Sequence, residues 1–256
     1  MTLNGYTYRF GMSNLCPPMN ISPNTQNKAL VVFSGGQDST TCLYWALQNF
    51  DEVHALTFSY GQRHIIELES ARLIAEMAGV TQDLIDLGPA FANLSSLTDT
   101  DQAIPASDSA GASNATAELP STFVPGRNIV FLSLAASRAY VKGCDTIVIG
   151  VSQEDFAGYP DCRESFIKSM ESAISNGLDK PIRIAAPLQN LSKKKTVELA
   201  VSLPGCMDAL AFSTTCYNGQ RPPCGNCNSC VLRAKGFAQA GIEDPLLEGV
   251  PSNARR

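Results

Sequence analysis

Short apolar runs alternate with amphipathic helical stretches along most of this 256-residue chain, and this alternation is its strongest structural constraint. Apolar, β-branched runs predict buried strands, and apolar residues at helical spacing predict the helices between them. The predicted strands cover 29–33, 52–60, 81–87, 146–151 and 182–187, and the predicted helices cover 39–48, 65–78, 128–141, 163–176 and 193–203. Because strands that alternate with helices build parallel sheets, we predict an α/β fold with a doubly wound, mostly parallel sheet.

Three segments stand outside this alternation. Residues 1–27 form a polar N-terminal extension, and residues 88–122 include a stretch rich in Ala, Ser, Asp and Pro with little periodicity. A loop of that length is usually a functional lid or a flexible segment. The last segment, 206–256, holds a cluster of four cysteines. We therefore expect an α/β domain over 28–205, with the C-terminal region 206–256 packed on it.

Charge, hydropathy and cysteine content argue against several classes of protein. The net charge is −5, so no broad basic surface is expected and no direct nucleic-acid partner is predicted. The sequence has no run of 18 apolar residues, which argues against a membrane span, and its first residues lack the pattern of a secretory signal. Thiols clustered at metal-binding spacing suit a reducing compartment, so we expect a cytoplasmic protein.

The segment "VVFSGGQDSTTCL" (31–43) places two glycines, an acid and several hydroxyls directly after the first predicted strand. Ligands of open α/β sheets bind at the carboxyl ends of the strands. Gly35 and Gly36 allow close approach of the backbone, and the start of the next helix favours an anion. Asp38 would repel a bare phosphate, but it fits if Mg²⁺ bridges it to the phosphates or if it caps the helix. A capped Gly-Gly turn without a ligand is the alternative.

Four cysteines near the C-terminus have metal-ligand spacing. Cys216, Cys224, Cys227 and Cys230 lie within 15 residues of sequence. Four thiolates at this spacing can close a tetrahedral Zn²⁺ shell with no open position, which marks a structural site. An iron–sulfur cluster is the main alternative, because C-x2-C-x2-C also begins ferredoxin-type runs, and we favour zinc because no Cys-Pro follows. Four unrelated buried thiols are the remaining interpretation.

The turn also resembles a known signature. Neither GxxxxGK[ST] nor GxGxxG occurs in this segment, which argues against kinase-like and dinucleotide-binding proteins. The stretch "SGGQDS" (34–39) resembles the SGGxDS signature of the PP-loop ATP pyrophosphatases. The resemblance implies that the loop binds ATP and exposes its α-phosphate, so that a substrate oxygen is adenylated and pyrophosphate leaves.

Several further motifs make the resemblance specific. Together with the turn they resemble one family, the 7-cyano-7-deazaguanine synthases of queuosine precursor biosynthesis. The motifs are "FSYGQRH" (58–64), "STFVPGRN" (121–128), "GYPDCRESF" (158–166) and "TCYNG…CGNCNSCVLRAKGF" (215–237). They occur in the family's order between about Lys28 and Phe237. Lys195 departs from the pattern, because the family usually has an acid at that position.

The resemblance implies an ATP-dependent C–N ligase that turns 7-carboxy-7-deazaguanine and ammonia into 7-cyano-7-deazaguanine. Adenylation of the carboxylate would give the amide, and a second adenylation at the same site would give the nitrile. The implied cofactors are structural Zn²⁺ and ATP with Mg²⁺. The implied partners are these small molecules, and the family resemblance also implies a homodimer.

The resemblance assigns roles to individual residues as expectations. The ATP-binding residues would be Phe33, Ser34, Gly35, Gly36, Gln37, Asp38, Ser39, Thr40, Thr41, Cys42 and Leu43. The catalytic residues would be Asp38, Ser39, Lys193 and Arg127, with the two basic side chains neutralising phosphate charge. The substrate-binding residues would be Phe123, Tyr159, Asp161 and Arg163. His64 is a further candidate for proton transfer, although a lone histidine is more often simply hydrogen-bonded.

Three other functions are compatible with parts of the sequence. A tRNA thiolase of the same superfamily would need a persulfide-carrying cysteine or a redox cluster. A non-catalytic zinc module that binds nucleic acid or protein would leave "SGGQDS" without a role. A relative that stops at the amide would differ only in its product.

Overall fold

The computed structural model of the chain describes residues 27–62, 66–107, 119–152 and 159–248. Within these residues, five strands form one sheet in the order β3-β2-β1-β4-β5. The strands are β1 (Lys28–Val32), β2 (Glu52–Ser59), β3 (Thr81–Asp86), β4 (Thr146–Val148) and β5 (Arg183–Ala185). All four neighbouring pairs are parallel, so the predicted parallel sheet is confirmed.

The strand order reverses at β1, because β1 pairs with β2 on one side and with β4 on the other. The carboxyl ends of the strands at such a reversal diverge and leave a crevice. The prediction that the turn after the first strand faces a ligand site therefore agrees with the topology.

Helices cover both faces of the sheet, as expected for a doubly wound fold. They are α1 (Gln37–Asn49), α2 (Ile66–Ala78), α3 (Arg127–Lys142), α4 (Glu164–Leu178), α5 (Lys193–Ser202), α6 (Cys206–Leu210) and α7 (Asn228–Ala240). Successive side chains of β1 point to opposite faces. Val31 therefore packs in the core beneath α1, α2 and α5, whereas Leu30 packs in the core beneath α3 and α4.

The predicted strand 146–151 is longer than the observed β4 (Thr146–Val148). The backbone leaves the ladder after Ile149, whose amide still donates to the carbonyl of Ala185. Gly150 then packs against the first turn of α1, where an added Cβ would lie 3.1 Å from the carbonyl carbon of Asp38 and from the amide of Ser39. The strand ends early because the chain turns towards the loop that follows β1.

Two predicted irregular segments are only partly described. Of the polar extension 1–27, only Asn27 lies within the described residues. Of the segment 88–122, residues 88–107 and 119–122 are described. Phe91 packs edge-on against the rings of Tyr60 and Phe131, and Ala106 forms an antiparallel bridge with Cys227. A lid role for this segment stays a prediction.

The C-terminal region packs directly on the α/β core. Helix α7 lies so close to α5 that an added Cβ at Gly236 would come within 3.0 Å of Lys193 Cβ. Buried Arg233 of α7 pairs with Asp244 through two nitrogens at 2.6 and 2.7 Å, and it also donates to the hydroxyl of Ser213 at 2.7 Å. These contacts fix the segment that follows α6 beside the loop after β1. None of the helices in the described part of the chain combines the length and apolar character needed to cross a membrane.

Candidate active site

The loop between β1 and α1 is shaped by Gly35. This residue has a φ of +80°, a region that favours glycine. An added Cβ would lie 2.6 Å from the amide nitrogen of Ala71 and 3.0 Å from the carbonyl oxygen of Glu67, both in α2. The absence of a side chain at Gly35 therefore lets the start of α2 pack against the loop.

The start of α1 is arranged to receive an anion. Gly36 is the N-cap residue and makes no side-chain cap hydrogen bond. The hydroxyl of Ser39 accepts from the amide of Ser34 at 3.2 Å and donates to the carbonyl of Gly36 at 3.2 Å, which holds the turn closed. Open amides at a helix start favour a phosphate oxygen.

Asp38 and Lys193 form an ion pair at the centre of the site. Lys193 Nζ lies 2.6 Å from Asp38 Oδ2, and the lysine is 5% exposed. Within the described residues, Asp38 Oδ1 and Gln37 Nε2 are buried without a hydrogen-bond partner. Buried polar atoms normally have partners, so this acceptor and this donor are placed for a ligand. An unpaired carboxylate oxygen is a suitable ligand for Mg²⁺.

A cavity of about 270 Å³ opens beside this loop. Its first wall is the predicted ATP loop, of which Phe33, Ser34, Gly36, Gln37, Asp38 and Ser39 line the cavity. Gly35 lies behind this wall, against α2. The last four residues of the predicted ATP set, Thr40, Thr41, Cys42 and Leu43, are fully buried in α1 and do not line the cavity.

The second wall is aromatic. The rings of Phe58 and Phe131 stack with centroids 4.2 Å apart, and Tyr60 meets Phe131 edge-on at 5.4 Å. All three line the cavity, together with Tyr159. The hydroxyl of Tyr159 lies 2.5 Å from that of Thr122. This wall offers flat apolar surface for a planar ring.

Arg127 brings a positive charge to the cavity. Its guanidinium donates to the hydroxyl of Tyr60 at 3.5 Å. Burial disfavours its charge, but the nearby Tyr60 hydroxyl and Asp161 carboxylate outweigh that effect and raise the pKa of Arg127. Arg127 therefore stays cationic in the site.

The other predicted substrate residues lie farther out. Phe123 stacks on Tyr159 with ring centroids 6.0 Å apart, but it does not itself line the cavity. Asp161 is buried and does not line the cavity, and burial raises its pKa, against the opposing influence of Arg127. Arg163 is exposed at the start of α4 and is not part of the lining. His64 lies outside the described residues.

Several lining residues are not evident from the turn motif alone. Glu67, Gly150, Thr214, Thr215, Tyr217 and Ser229 all line the cavity. Glu67 lies three positions after "FSYGQRH", in the first turn of α2. Its position at the start of a predicted helix is the sequence feature that could have indicated it as a site residue. Tyr217 and Ser229 are interleaved with the cysteines, and their position depends on how that segment folds onto the loop.

The four cysteines come together in the folded chain. One sulfur atom from each of Cys216, Cys224, Cys227 and Cys230 lies within 4.8 Å of all the others. The amide of Cys227 and the side-chain amide of Asn218 both donate to Cys224 Sγ at 3.4 Å, as expected around a thiolate. The cluster could hold a metal ion.

The fold and the loop together define a PP-loop type α/β protein with a four-cysteine module. The sequence profile described as "Queuosine biosynthesis protein QueC" matches residues 28–241. The chain belongs to this family, which confirms the resemblance drawn from the motifs.

Relatives at high identity agree with the family assignment. The chain is 51% identical over 233 residues to a protein of Chromobacterium violaceum named 7-cyano-7-deazaguanine synthase, covering 90% of this chain and 97% of the relative. It is 55% identical over 219 residues to the protein of the same name from Laribacter hongkongensis, covering 86% and 93%.

Solved structures show weaker likeness. A predicted tRNA methyltransferase subunit from Methanocaldococcus jannaschii is 18% identical, with a TM-score of 0.46 over 68% of this chain and 74% of that one. The U34-tRNA thiolase NcsA from Methanococcus maripaludis is 13% identical, with a TM-score of 0.40 over 85% of this chain and 73% of that one. The assignment of the fold rests on the strand order and not on these likenesses.

Proposed function

We propose that the chain converts 7-carboxy-7-deazaguanine, ammonia and two ATP into 7-cyano-7-deazaguanine. The observation that carries the proposal is the single cavity that joins the loop of Ser34 to Ser39 with the aromatic wall and Arg127. A nucleotide at the loop and a planar acid at the wall would meet within one enclosed space. Relatives named 7-cyano-7-deazaguanine synthase at 51% and 55% identity support the same reaction.

The loop would hold the departing pyrophosphate of ATP. Ser34 and the open amides of α1 would supply hydrogen-bond donors, Ser39 would hold the turn in shape, and Lys193 would supply positive charge. Mg²⁺ bound with ATP would neutralise phosphate charge, and the unpaired Asp38 Oδ1 is a fitting ligand for it. These residues hold and orient the phosphates, which is how phosphoryl-transfer sites obtain most of their rate.

The aromatic wall would hold the deazaguanine. Phe58, Phe131, Tyr60 and Tyr159 present ring faces and edges to the cavity. Arg127 lies among them and would pair with the substrate carboxylate or the developing phosphate charge. Phe123 would act through its stacking on Tyr159, and Asp161 through its charge near Arg127, whereas Arg163 is exposed and outside the lining.

One site can serve both halves of the reaction. A carboxylate is a poor electrophile, because its leaving group would be oxide. Adenylation converts that oxygen into a good leaving group, so ammonia can form the amide. Adenylation of the amide oxygen then allows the same oxygen to leave again, which produces the nitrile.

The cysteine cluster would hold structural zinc. Around a single tetrahedral zinc with bonds of about 2.3 Å, the four sulfurs lie about 3.8 Å apart. Cys224 Sγ and Cys230 Sγ are 3.9 Å apart. In a multi-iron cluster each thiolate binds a different iron, which requires wider spacing, so the compact arrangement supports zinc.

The assembly and location of the protein are part of the same proposal. We expect a cytoplasmic homodimer without a direct nucleic-acid partner, in keeping with the family resemblance and a net charge of −5. Sedimentation of the purified protein tests the dimer.

Mass spectrometry of reaction products tests the proposed function. The protein is incubated with 7-carboxy-7-deazaguanine, ammonium and Mg·ATP. We expect the nitrile with two AMP and two pyrophosphate per product. Accumulation of the amide alone would assign a ligase that stops after the first half, and consumption of ATP without any change in the acid would contradict the proposal.

A further inference from the structure

Among the described residues, two carboxyl groups line the cavity, and only one of them forms an ion pair. Asp38 is paired with Lys193 at 2.6 Å. Glu67 makes no hydrogen bond or ion pair with any described residue, although it lines the same cavity. Among the described residues, Glu67 is therefore the one carboxylate of the cavity lining that has no hydrogen-bond or ion-pair partner.

The position of Glu67 is built into the fold. It lies in the first turn of α2, the turn that packs on the loop because Gly35 has no side chain. Leu68, the next residue, also lines the cavity. Any ligand seated on the loop therefore lies beside the start of this helix.

Among the described residues, the titratable and charged groups that face Glu67 come from three parts of the chain. Tyr60 follows β2, Arg127 begins α3, and Cys216 lies in the cysteine cluster, and each interacts electrostatically with the Glu67 carboxylate. Burial raises the pKa of Glu67 to about 7, and Arg127 opposes this effect. A carboxyl that titrates near neutral pH can both accept and release a proton during turnover.

The proposed reaction requires a proton acceptor at this place. Ammonia loses one proton as its nitrogen becomes part of the amide and two more as the amide becomes the nitrile. The adenylated carbon must lie near the loop, and the protons are lost from the nitrogen bound to that carbon. Among the described lining residues, Glu67 is the carboxylate left free to receive them.

We propose that Glu67 is a catalytic residue that accepts the protons lost by the ammonia-derived nitrogen. The inference rests on the proposed function and adds to it a residue and a role. It follows from the position of Glu67 in the cavity, the absence of a hydrogen-bond or ion-pair partner among the described residues, and its place on the helix turn beside the loop.

The nitrogen lone pair of ammonia forms the C–N bond with the acyl adenylate, a proton passes from that nitrogen to Glu67, and the C–O bond breaks with AMP as the leaving group. After the second adenylation, Glu67 takes one N–H proton from the O-adenylated amide to give the neutral imidate. It then takes the remaining N–H proton, and the electrons of that bond form the third C–N bond as the second AMP leaves. Glu67 returns each proton to solvent between steps.

A Glu67→Gln variant tests this role, with Glu69→Gln as the matched control. Glu69 lies in the same turn of α2 and is exposed. Three quantities are measured for each protein: acid-dependent exchange of pyrophosphate into ATP, formation of the amide, and formation of the nitrile from supplied amide. The exchange reports adenylation without any proton transfer from nitrogen.

We expect Glu67→Gln to keep the exchange rate within about twofold of the wild type. Amide and nitrile formation should each fall by about 10²-fold or more, as for the loss of a general base. Glu67→Asp should recover part of both rates, which a merely structural role would not predict. Glu69→Gln should match the wild type in all three.

Three outcomes would overturn the inference. Normal amide and nitrile formation in Glu67→Gln would show that the carboxylate is not needed. Loss of exchange in parallel with the other two rates, in a variant whose circular dichroism matches the wild type, would place Glu67 in ATP binding. Absence of acid-dependent exchange in the wild type would overturn the proposed function itself, which distinguishes that failure from a failure of Glu67 alone.

Discussion

Lys193 Nζ lies 2.6 Å from Asp38 Oδ2, although 155 residues separate the two in sequence. Asp38 is in the first turn of α1 and Lys193 is the first residue of α5, so two helix starts meet at the carboxyl edge of the sheet. The pair leaves one Asp38 oxygen unpartnered among the described residues, and Asp38 lines the cavity. The lysine therefore positions the acid as well as adding charge to the site.

Replacement of Asp38 by Ala should abolish the reaction while the fold and metal content remain. Loss of the Mg²⁺ ligand and of the oriented pair should lower turnover by about 10³-fold, the scale of preorganised charge in active sites. It also removes the 2.6 Å ion pair with the buried Lys193, which should reduce the free energy of unfolding. Steady-state kinetics and urea denaturation measure the two effects.

The double variant Asp38→Ala/Lys193→Met separates stability from activity. Replacement of the buried lysine charge by an apolar side chain should restore part of the lost stability, and activity should stay absent. Near-normal turnover in Asp38→Ala would contradict the assignment of the ATP site.

Replacement of Gly35 by Ala should disturb the loop, with Gly79→Ala as the matched control. Both glycines have positive φ, +80° and +67°. An added Cβ at Gly35 would lie 2.6 Å from the amide nitrogen of Ala71, whereas at Gly79 it would meet nothing within 4 Å. Backbone strain should lower the free energy of unfolding of both variants by about 1 kcal/mol. In Gly35→Ala the displacement of α2 should lower it by about 1–3 kcal/mol more.

Only the Gly35 variant should lose ATP binding, as measured by isothermal titration calorimetry. Equal losses of stability in the two variants would indicate that α2 can shift without cost.

Loss of the metal should weaken substrate binding as well as stability. Tyr217 and Ser229 lie between the cysteines and line the cavity, so release of the metal frees part of the cavity wall. Cys227→Ser should lose zinc, as measured by elemental analysis, and should unfold at lower temperature with lower solubility. Where some folded protein remains, KM for the deazaguanine acid should rise more than kcat falls.

The matched control is Cys144→Ser, at a buried cysteine outside the cluster. It should keep its zinc. A Cys227→Ser protein that is zinc-free, stable and fully active would contradict a structural role for the metal.

The order of elements could be predicted from the sequence because each strand and helix has its own local pattern. The strands of 29–33 and 52–60 are apolar runs that end in turns, and their observed bounds differ by one residue at each shifted end. The loop motif and the cysteine spacing are also local, so short stretches of sequence sufficed to find them. In each case the residues that would bind the ligand or the metal lie within one short segment.

The contacts between distant segments could not be predicted in this way. Gly150 ends β4 early because it packs on α1, and that contact depends on the sheet order. Glu67 lines the cavity because the start of α2 packs closely against Gly35, which has no side chain. The hydrophobic periodicity of the sequence does not indicate this contact. The exposed position of Arg163 likewise follows from where α4 begins, not from its motif.

The pH dependence of stability should identify Glu67 without any assay of activity. Its pKa rises from 4.5 to about 7 on folding because burial disfavours the charged form. Between these values the folded state binds more protons than the unfolded state, so stability falls as pH rises from about 4.5 to about 7. The shift corresponds to about 3 kcal/mol, and the partial exposure of Glu67 reduces the expected loss to about 2 kcal/mol.

Glu67→Gln should remove this loss, because glutamine does not titrate. The free energy of unfolding is measured by urea denaturation from pH 4.5 to 8 for the wild type, Glu67→Gln and Glu69→Gln. The buried Asp161, whose pKa is also raised, contributes in the same direction to all three proteins, so the difference between variants isolates Glu67. We expect Glu67→Gln to gain about 2 kcal/mol relative to the wild type on going from pH 5 to pH 8, whereas Glu69→Gln should follow the wild type. Parallel curves for the wild type and Glu67→Gln would mean that the carboxylate is solvated, and the destabilisation attributed to its burial would then be wrong.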